Sequence, residues 1–345
     1  MLMSFSLFAG AKVPSLEVER EPSEKLSAQK RWNFGLSLEA LFLRASESSP
    51  PFAAAFDSPQ MSHAATANRK AFQIDYGWDL GFRFEASAED LQTGWNFASR
   101  LTHLNSDAYS LLERDEPLIN PLLLNGPAQV IIQTADSRDF AKRADLRWAQ
   151  QLNLVDFEWS HLYGITRNLQ LQPHFGLAAL FLNQQAQVLY DPVFFTTELL
   201  YPTFQPFGSR ELKIERDLWS VGPRFGFATF WQLGARFDLF AKLAAALLYS
   251  QEKRSENMHA VIPDIPAPNK FVATVIDHQS RASRITLSPF SEIELGATYN
   301  HLFRGGCEAA FTLGFLSHYF WSQGAILEGD SMQIQGLTAG VKVRF

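Results

Sequence analysis

Cysteine is almost absent: Cys307 is the only one in 345 residues. No intramolecular disulfide can form, and a cysteine-rich metal site is excluded. The single thiol reads as a small packing residue rather than a nucleophile. Long apolar runs are missing too. A membrane helix needs about 20 consecutive apolar residues, and the densest run, Leu243-Ala-Ala-Ala-Leu-Leu-Tyr249, is far shorter. A helical membrane protein is therefore excluded. There is no basic excess either. The formal charge of −6 argues against nucleic acid or an anionic membrane surface as partner. The histidines show no metal-ligand spacing, so no metal and no cofactor is expected. A β-barrel survives all these absences, because its strands hide half their residues in the lumen and average to mild hydropathy.

What is present is aromatic and alternating. Aromatics make up 13% of the chain, with 30 Phe. Apolar residues recur at every second position, the period of a pleated strand. Residues 32–43 set Trp32, Phe34, Leu36, Leu38, Ala40 and Phe42 against Asn33, Gly35, Ser37 and Glu39. Residues 76–86 set Trp78, Leu80, Phe82 and Phe84 against Asp79, Arg83 and Glu85, and 94–104 set Trp95, Phe97 and Leu101 against Asn96, Arg100 and Thr102. The same rhythm predicts strands over 169–182, 218–231, 236–249, 284–300 and 307–321. The strand over 143–163 changes phase: Leu146, Trp148, Leu152 and Leu154 are even, whereas Val155, Phe157, Trp159 and Tyr163 are odd. A one-residue slip turns every side chain to the other face, so a bulge is predicted near Leu154.

The tenth strand closes the chain. Leu337, Ala339, Val341, Val343 and Phe345 point one way; Thr338, Gly340, Lys342 and Arg344 point the other. The predicted connections after strands one, three, five and seven are long, roughly 28 to 38 residues, and those after even strands are short. Outer-membrane barrels have an even strand count, short periplasmic turns and longer outer loops. The fold class is therefore all-β: a transmembrane antiparallel up-and-down barrel of about 10 strands. Two segments, Ala128–Thr134 and Lys270–Ile276, are candidates for a further pair, making 12. In this frame Trp32, Trp95, Trp159, Trp231, Tyr299 and Phe345 belong to the periplasmic rim. Phe42, Trp78, Trp148, Trp219, Tyr249 and Trp321 belong to the outer rim, since amphipathic rings favour both bilayer interfaces.

Residues 1–11 look like the second half of a secretory signal peptide, with a short apolar core and an Ala9-x-Ala11 end. Residues 12–30 read as a polar linker and 31–345 as the barrel. The hairpin Leu154 to Leu177, with its short Arg-containing turn and Leu169-Gln-Leu-Gln-Pro-His-Phe-Gly-Leu177, resembles a hairpin of the Legionella-type major outer-membrane proteins, found also in environmental chlamydiae. Asp217-Leu-Trp-Ser-Val-Gly-Pro-Arg-Phe-Gly-Phe227 with Ala244–Tyr249 looks like that family's next hairpin, and Gln335–Val341 like its end. The resemblance spans about 31 to 345 and is strongest from residue 150 onward. It implies an outer-membrane barrel with porin-like activity and supplies no catalytic residues. The terminal Phe345 resembles the signal read by barrel-assembly machinery.

The expected pore-lining residues are Glu39, Arg83, Glu85, Arg100, Asp156, Glu158, His174, Arg224, Asp238, Lys242, Glu292, Glu294, Glu308, Lys342 and Arg344. So many unpaired charges would be costly in an apolar core and require water or cross-barrel pairing. Either they line a water-filled path, or they pair and plug a barrel that ten strands leave narrow. The expected function is a porin passing small hydrophilic solutes or ions across the outer membrane of a Gram-negative-type bacterium. The alternatives are a non-conducting structural or adhesive barrel and, further off, a surface protease using Asp79, His103, Asp107 and His318. Expected partners are outer-membrane lipid, the assembly machinery and small solutes, with no nucleic acid. A porin is compatible with a homo-oligomer, though no interface signature stands in the sequence.

Overall fold

The computed structural model describes residues 32–47, 52–56, 69–115, 119–121, 138–196, 205–206, 208–264, 272–303, 307–321 and 331–345. The expected leader and linker, and the candidate strand Ala128–Thr134, lie outside the described residues. Ten strands form the wall: β1 (Trp32–Glu47), β2 (Asp79–Asp90), β3 (Trp95–Glu113), β4 (Arg138–His161), β5 (Leu169–Thr196), β6 (Arg210–Gln232), β7 (Phe237–Asp264), β8 (Val272–Leu302), β9 (Glu308–Trp321) and β10 (Ser331–Arg344). No helix occurs among the described residues. Each strand pairs antiparallel with the next. β10 returns to β1, from Gly35↔Arg344 to Glu47↔Met332, and the ring is closed. Closure satisfies the backbone groups that an open sheet edge would leave bare in lipid.

The start of β1, the end of β10 and the short turns share one end of the barrel, which identifies it as periplasmic. In the turn between β2 and β3, Gly94 has φ +73°, a conformation glycine adopts without steric cost, and its N–H donates to the Asp90 carbonyl at 2.7 Å. The Phe345 N–H donates to the Phe34 carbonyl at 2.9 Å, so the last residue is stitched to the first strand.

The predicted strands exist, but four run further than their apolar rhythm: β5, β7 and β8 have 28, 28 and 31 residues, and β6 has 23. A crossing needs only about 9–11 residues, so these strands continue beyond the membrane as paired ribbons. The expected long loops between β5 and β6 and between β7 and β8 are therefore largely ladder. The break between β7 and β8 is only residues 265–271. Val272–Ile276 extends β8 rather than adding a wall strand, and the barrel closes at ten, not twelve.

No bulge interrupts β4 at Leu154. Its register with β5 runs without an inserted residue from Arg143↔Asp191 to Ser160↔His174. Even residues face inward along the whole strand, and Leu146, Trp148, Leu152 and Leu154 are buried inside. Trp148 is thus not an outer-rim residue; it lies in the lumen, edge-on to Tyr76 with centroids 4.9 Å apart. Apolar side chains fill the outer half of the lumen, so apolarity on β4 does not mean contact with lipid. The remaining belt residues Trp78, Trp95, Trp219, Trp231, Trp321 and Phe345 are exposed on the outer face, with Trp32 and Trp159 partly covered by neighbours. Trp78 stacks on Phe42 at 5.1 Å, and Trp159 on Phe175 at 5.8 Å.

Candidate functional site in the barrel lumen

Strand β4 serves as a ruler for the interior. Going outward from the periplasm, its lumen-facing residues are Ser160, Glu158 and Asp156, then Leu154 and Leu152, then Gln150, then Trp148 and Leu146. The lumen is layered in the same order. At the periplasmic end is a cavity of about 410 Å3, reaching from rim residues such as Asn33, Asn300 and Arg344 inward to Arg83, Arg100, His174 and Lys242. Near its mouth Lys342 binds Glu85 at 2.8 Å, Arg344 binds Glu308 at 3.3 Å and Asp238 accepts from Asn300 at 2.6 Å.

The cavity ends on a lattice of ion pairs. Arg224, fully buried, lies 2.9 Å from Asp156, 3.1 Å from Glu158 and 3.0 Å from Glu292. Lys242 lies 2.9 Å from Glu158 and 3.9 Å from Glu292. Arg100 joins Glu85 at 2.9 Å and Glu158 at 3.4 Å. Arg83 bridges Glu39 at 3.2 Å and, from across the lumen, Glu294 at 3.0 Å. Removing ions of this size from water costs several kcal/mol each, which only close pairing offsets. Glycine makes room for one member: Gly226 of β6 is opposite His174 of β5, and a Cβ there would meet the imidazole.

All the expected pore-lining residues lie on the lumen side; Asp156, Arg224 and Glu292 sit behind the cavity's deep end and the others line it. Above them the chemistry changes. The Arg224 guanidinium lies over the Phe290 ring at 5.8 Å, and Phe290 packs on Phe320 at 4.9 Å. Leu41, Leu154, Leu180, Leu248 and Leu316 complete this apolar layer, each at 0% exposure. Next comes a polar knot in which Gln184 donates to Gln150 at 2.9 Å and to Glu47 at 2.6 Å and accepts from Arg216 at 2.9 Å. Outermost, the segment after β1 folds over the mouth: residues 53–56 pair with 69–72, Phe52 is buried, and the Tyr190 hydroxyl donates to the Phe52 carbonyl at 2.7 Å.

The apolar layer, the Gln184 knot and the Phe52 contact escape a reading in which apolar side chains face lipid. A usable sign was nonetheless present: Leu146 through Leu154 share the parity of Asp156 and Glu158, which an unbroken strand puts on one face. Of the Asp/His candidates for hydrolysis, Asp79 and Asp107 are neighbours on β2 and β3, but the two histidines lie on opposite sides of the wall. His103 lies on the outer face, bonded to Asn153 at 2.7 Å and tilted on Phe82. His318 lies inside, bonded to Glu292 at 3.0 Å. Among the described residues no group of His, Cys, Asp and Glu is arranged to hold a metal ion.

Comparison with solved structures finds outer-membrane proteins at low identity. The outer membrane protease OmpT from Escherichia coli aligns at 10% identity and TM-score 0.40, covering 93% of this chain and 99% of that one. A major outer membrane protein from Thermus thermophilus aligns at 12% and 0.28, covering 90% and 99%. OprG from Pseudomonas aeruginosa aligns at 10% and 0.24, covering 90% and 95%. No curated protein sequence matches the chain. The family model described as the Legionella pneumophila major outer membrane protein precursor matches residues 27–341. The chain belongs to that family and is a β-barrel of the Gram-negative outer membrane.

Proposed function

We propose that this barrel is a pore-forming protein, shut at rest, that passes small hydrophilic solutes or ions when its side-chain seal rearranges. One observation carries the reading: the seal at the cavity's deep end is built from carboxylates that several cations share. Glu158 is within 4 Å of Arg100, Arg224 and Lys242, and Glu292 is within 4 Å of the same three. Each cation can trade one carboxylate for the other without becoming unpaired, which avoids the cost of an uncompensated buried charge. A polar cavity already leads to this point from the periplasm.

A second reading, a non-conducting structural or adhesive barrel, is favoured by the apolar layer of Leu154, Leu180, Phe290 and Phe320 beyond the charges. Planar-bilayer recording of the refolded protein separates the two. Discrete, brief single-channel steps support the gated pore; a silent bilayer holding correctly folded protein supports the structural barrel and overturns the pore.

A further inference from the structure

The wall of the barrel is not of even height. β8 pairs with β7 over its whole length, from Asp264↔Val272 to Phe237↔Tyr299. On its other side β9 reaches no higher than Phe290↔Phe320. Residues 272–289 of β8 therefore have a ladder partner on one side only among the described residues. Leu287 is opposite the belt residue Tyr249, so the edge above it rises beyond the outer interface. Alternate residues of such an edge present unpaired N–H and C=O groups, a ready template for one more strand.

We propose that this edge is a docking site for an acidic, extended segment of another protein, added as an antiparallel strand. Charge selects the acid. Arg281 and Arg284 are exposed on opposite faces of the edge, and the ion pairs among the described residues leave both without a carboxylate. Glu252, opposite Arg284, is held by Arg216 at 3.0 Å, and Glu256, next to the residue opposite Arg281, by Arg254 at 2.6 Å. A partner strand carrying a carboxylate on each face would meet one arginine on each. An apolar residue at its membrane-proximal end would cover Ile285, which is 61% exposed. A second copy of this chain fits less well, since it could pair only as the less stable parallel ladder. Two barrels in one membrane share their orientation, so their β8 edges run the same way and cannot form an antiparallel ladder.

The inference does not depend on whether the lumen conducts. The test uses the refolded full chain in detergent and a fluorescent synthetic peptide alternating Glu with Val and Thr, read by anisotropy. Saturable binding is expected, weakened about tenfold or more (about 1.4 kcal/mol per tenfold) by N-methylation of alternate peptide bonds on one edge. A similar loss is expected for the peptide on a barrel carrying Arg281→Glu and Arg284→Glu, with slowed amide exchange over residues 272–286 in the wild-type complex. Equal binding of the N-methylated peptide would show side-chain attraction alone and overturn the strand-addition site. So would the absence of binding to a correctly folded barrel, or disulfide-linked dimers of Ser283→Cys forming as fast as peptide capture.

Discussion

Arg100 and Glu292 stand on β3 and β8, five strands apart in a ring of ten, yet their charged groups are 3.8 Å apart. The lumen is so narrow that diametrically opposed side chains meet at its centre. Glu292→Gln removes the carboxylate at this meeting point and leaves Arg100, Arg224 and Lys242 one anion short. Folding stability should fall by about 3–5 kcal/mol, read as a lower urea midpoint in micelles. If the lumen is a gated pore, the same variant should open more often in a planar bilayer; a wild-type record with lower stability would separate the seal from the gate.

Asp156 and Arg224 are both fully buried, 2.9 Å apart. Arg224→Met leaves Asp156 without its ion partner and takes one of the shared cations from Glu158 and Glu292, so it should be strongly destabilising, whereas Asp156→Leu made together with Arg224→Met should recover part of that loss. A coupling energy of roughly 1–3 kcal/mol in the double-mutant cycle is expected. Additive effects would mean that Glu158 and Glu292, not Asp156, hold the arginine.

Trp148 and Trp219 have the same side chain but opposite surroundings, one packed against Tyr76 in the lumen and the other 41% exposed on the outer face. Trp148→Ala should cost about 3–5 kcal/mol by opening a cavity. Trp219→Ala should cost far less in micelles and show its effect in bilayers, where the interfacial anchor is lost. Thermal unfolding of the two variants in both media makes the comparison.

Phe345 is joined to Phe34 only through backbone, and its ring is half exposed. Phe345→Ala should therefore refold in detergent to a barrel of unchanged melting temperature while reaching the outer membrane of cells in lower yield. Loss of stability in vitro of the same size as the loss in cells would assign Phe345 a packing role instead of recognition by assembly machinery.

The staves and their order were legible because lipid imposes a period of two on every strand. The faces of β1, β2 and β3 follow directly from Phe34, Phe84 and Phe97 against Ser37, Arg83 and Arg100. β4 misled for a definite reason. Its outer half carries Leu146, Trp148, Leu152 and Leu154 inward because they pack in one buried apolar cluster with Phe52 and Tyr76. Alternation reports which residues avoid water; it does not distinguish lipid from a dry interior. The charged positions were identifiable individually, but their partners were not. Pairs such as Arg83 with Glu294 depend on which strands face each other across a closed ring.

The uneven wall has a consequence for the cell surface. β7 and β8 stay paired from Phe237↔Tyr299 to Asp264↔Val272, while the seal depends on residues far below the upper end of that ladder, such as Glu292 and Lys242. Residues can be added to or taken from both arms of that ribbon together without moving a single side chain of the seal. Wall height is thus uncoupled from the seal, and the positions on this ribbon that a change would be felt at are the edge residues Arg281 and Arg284 of the proposed docking site.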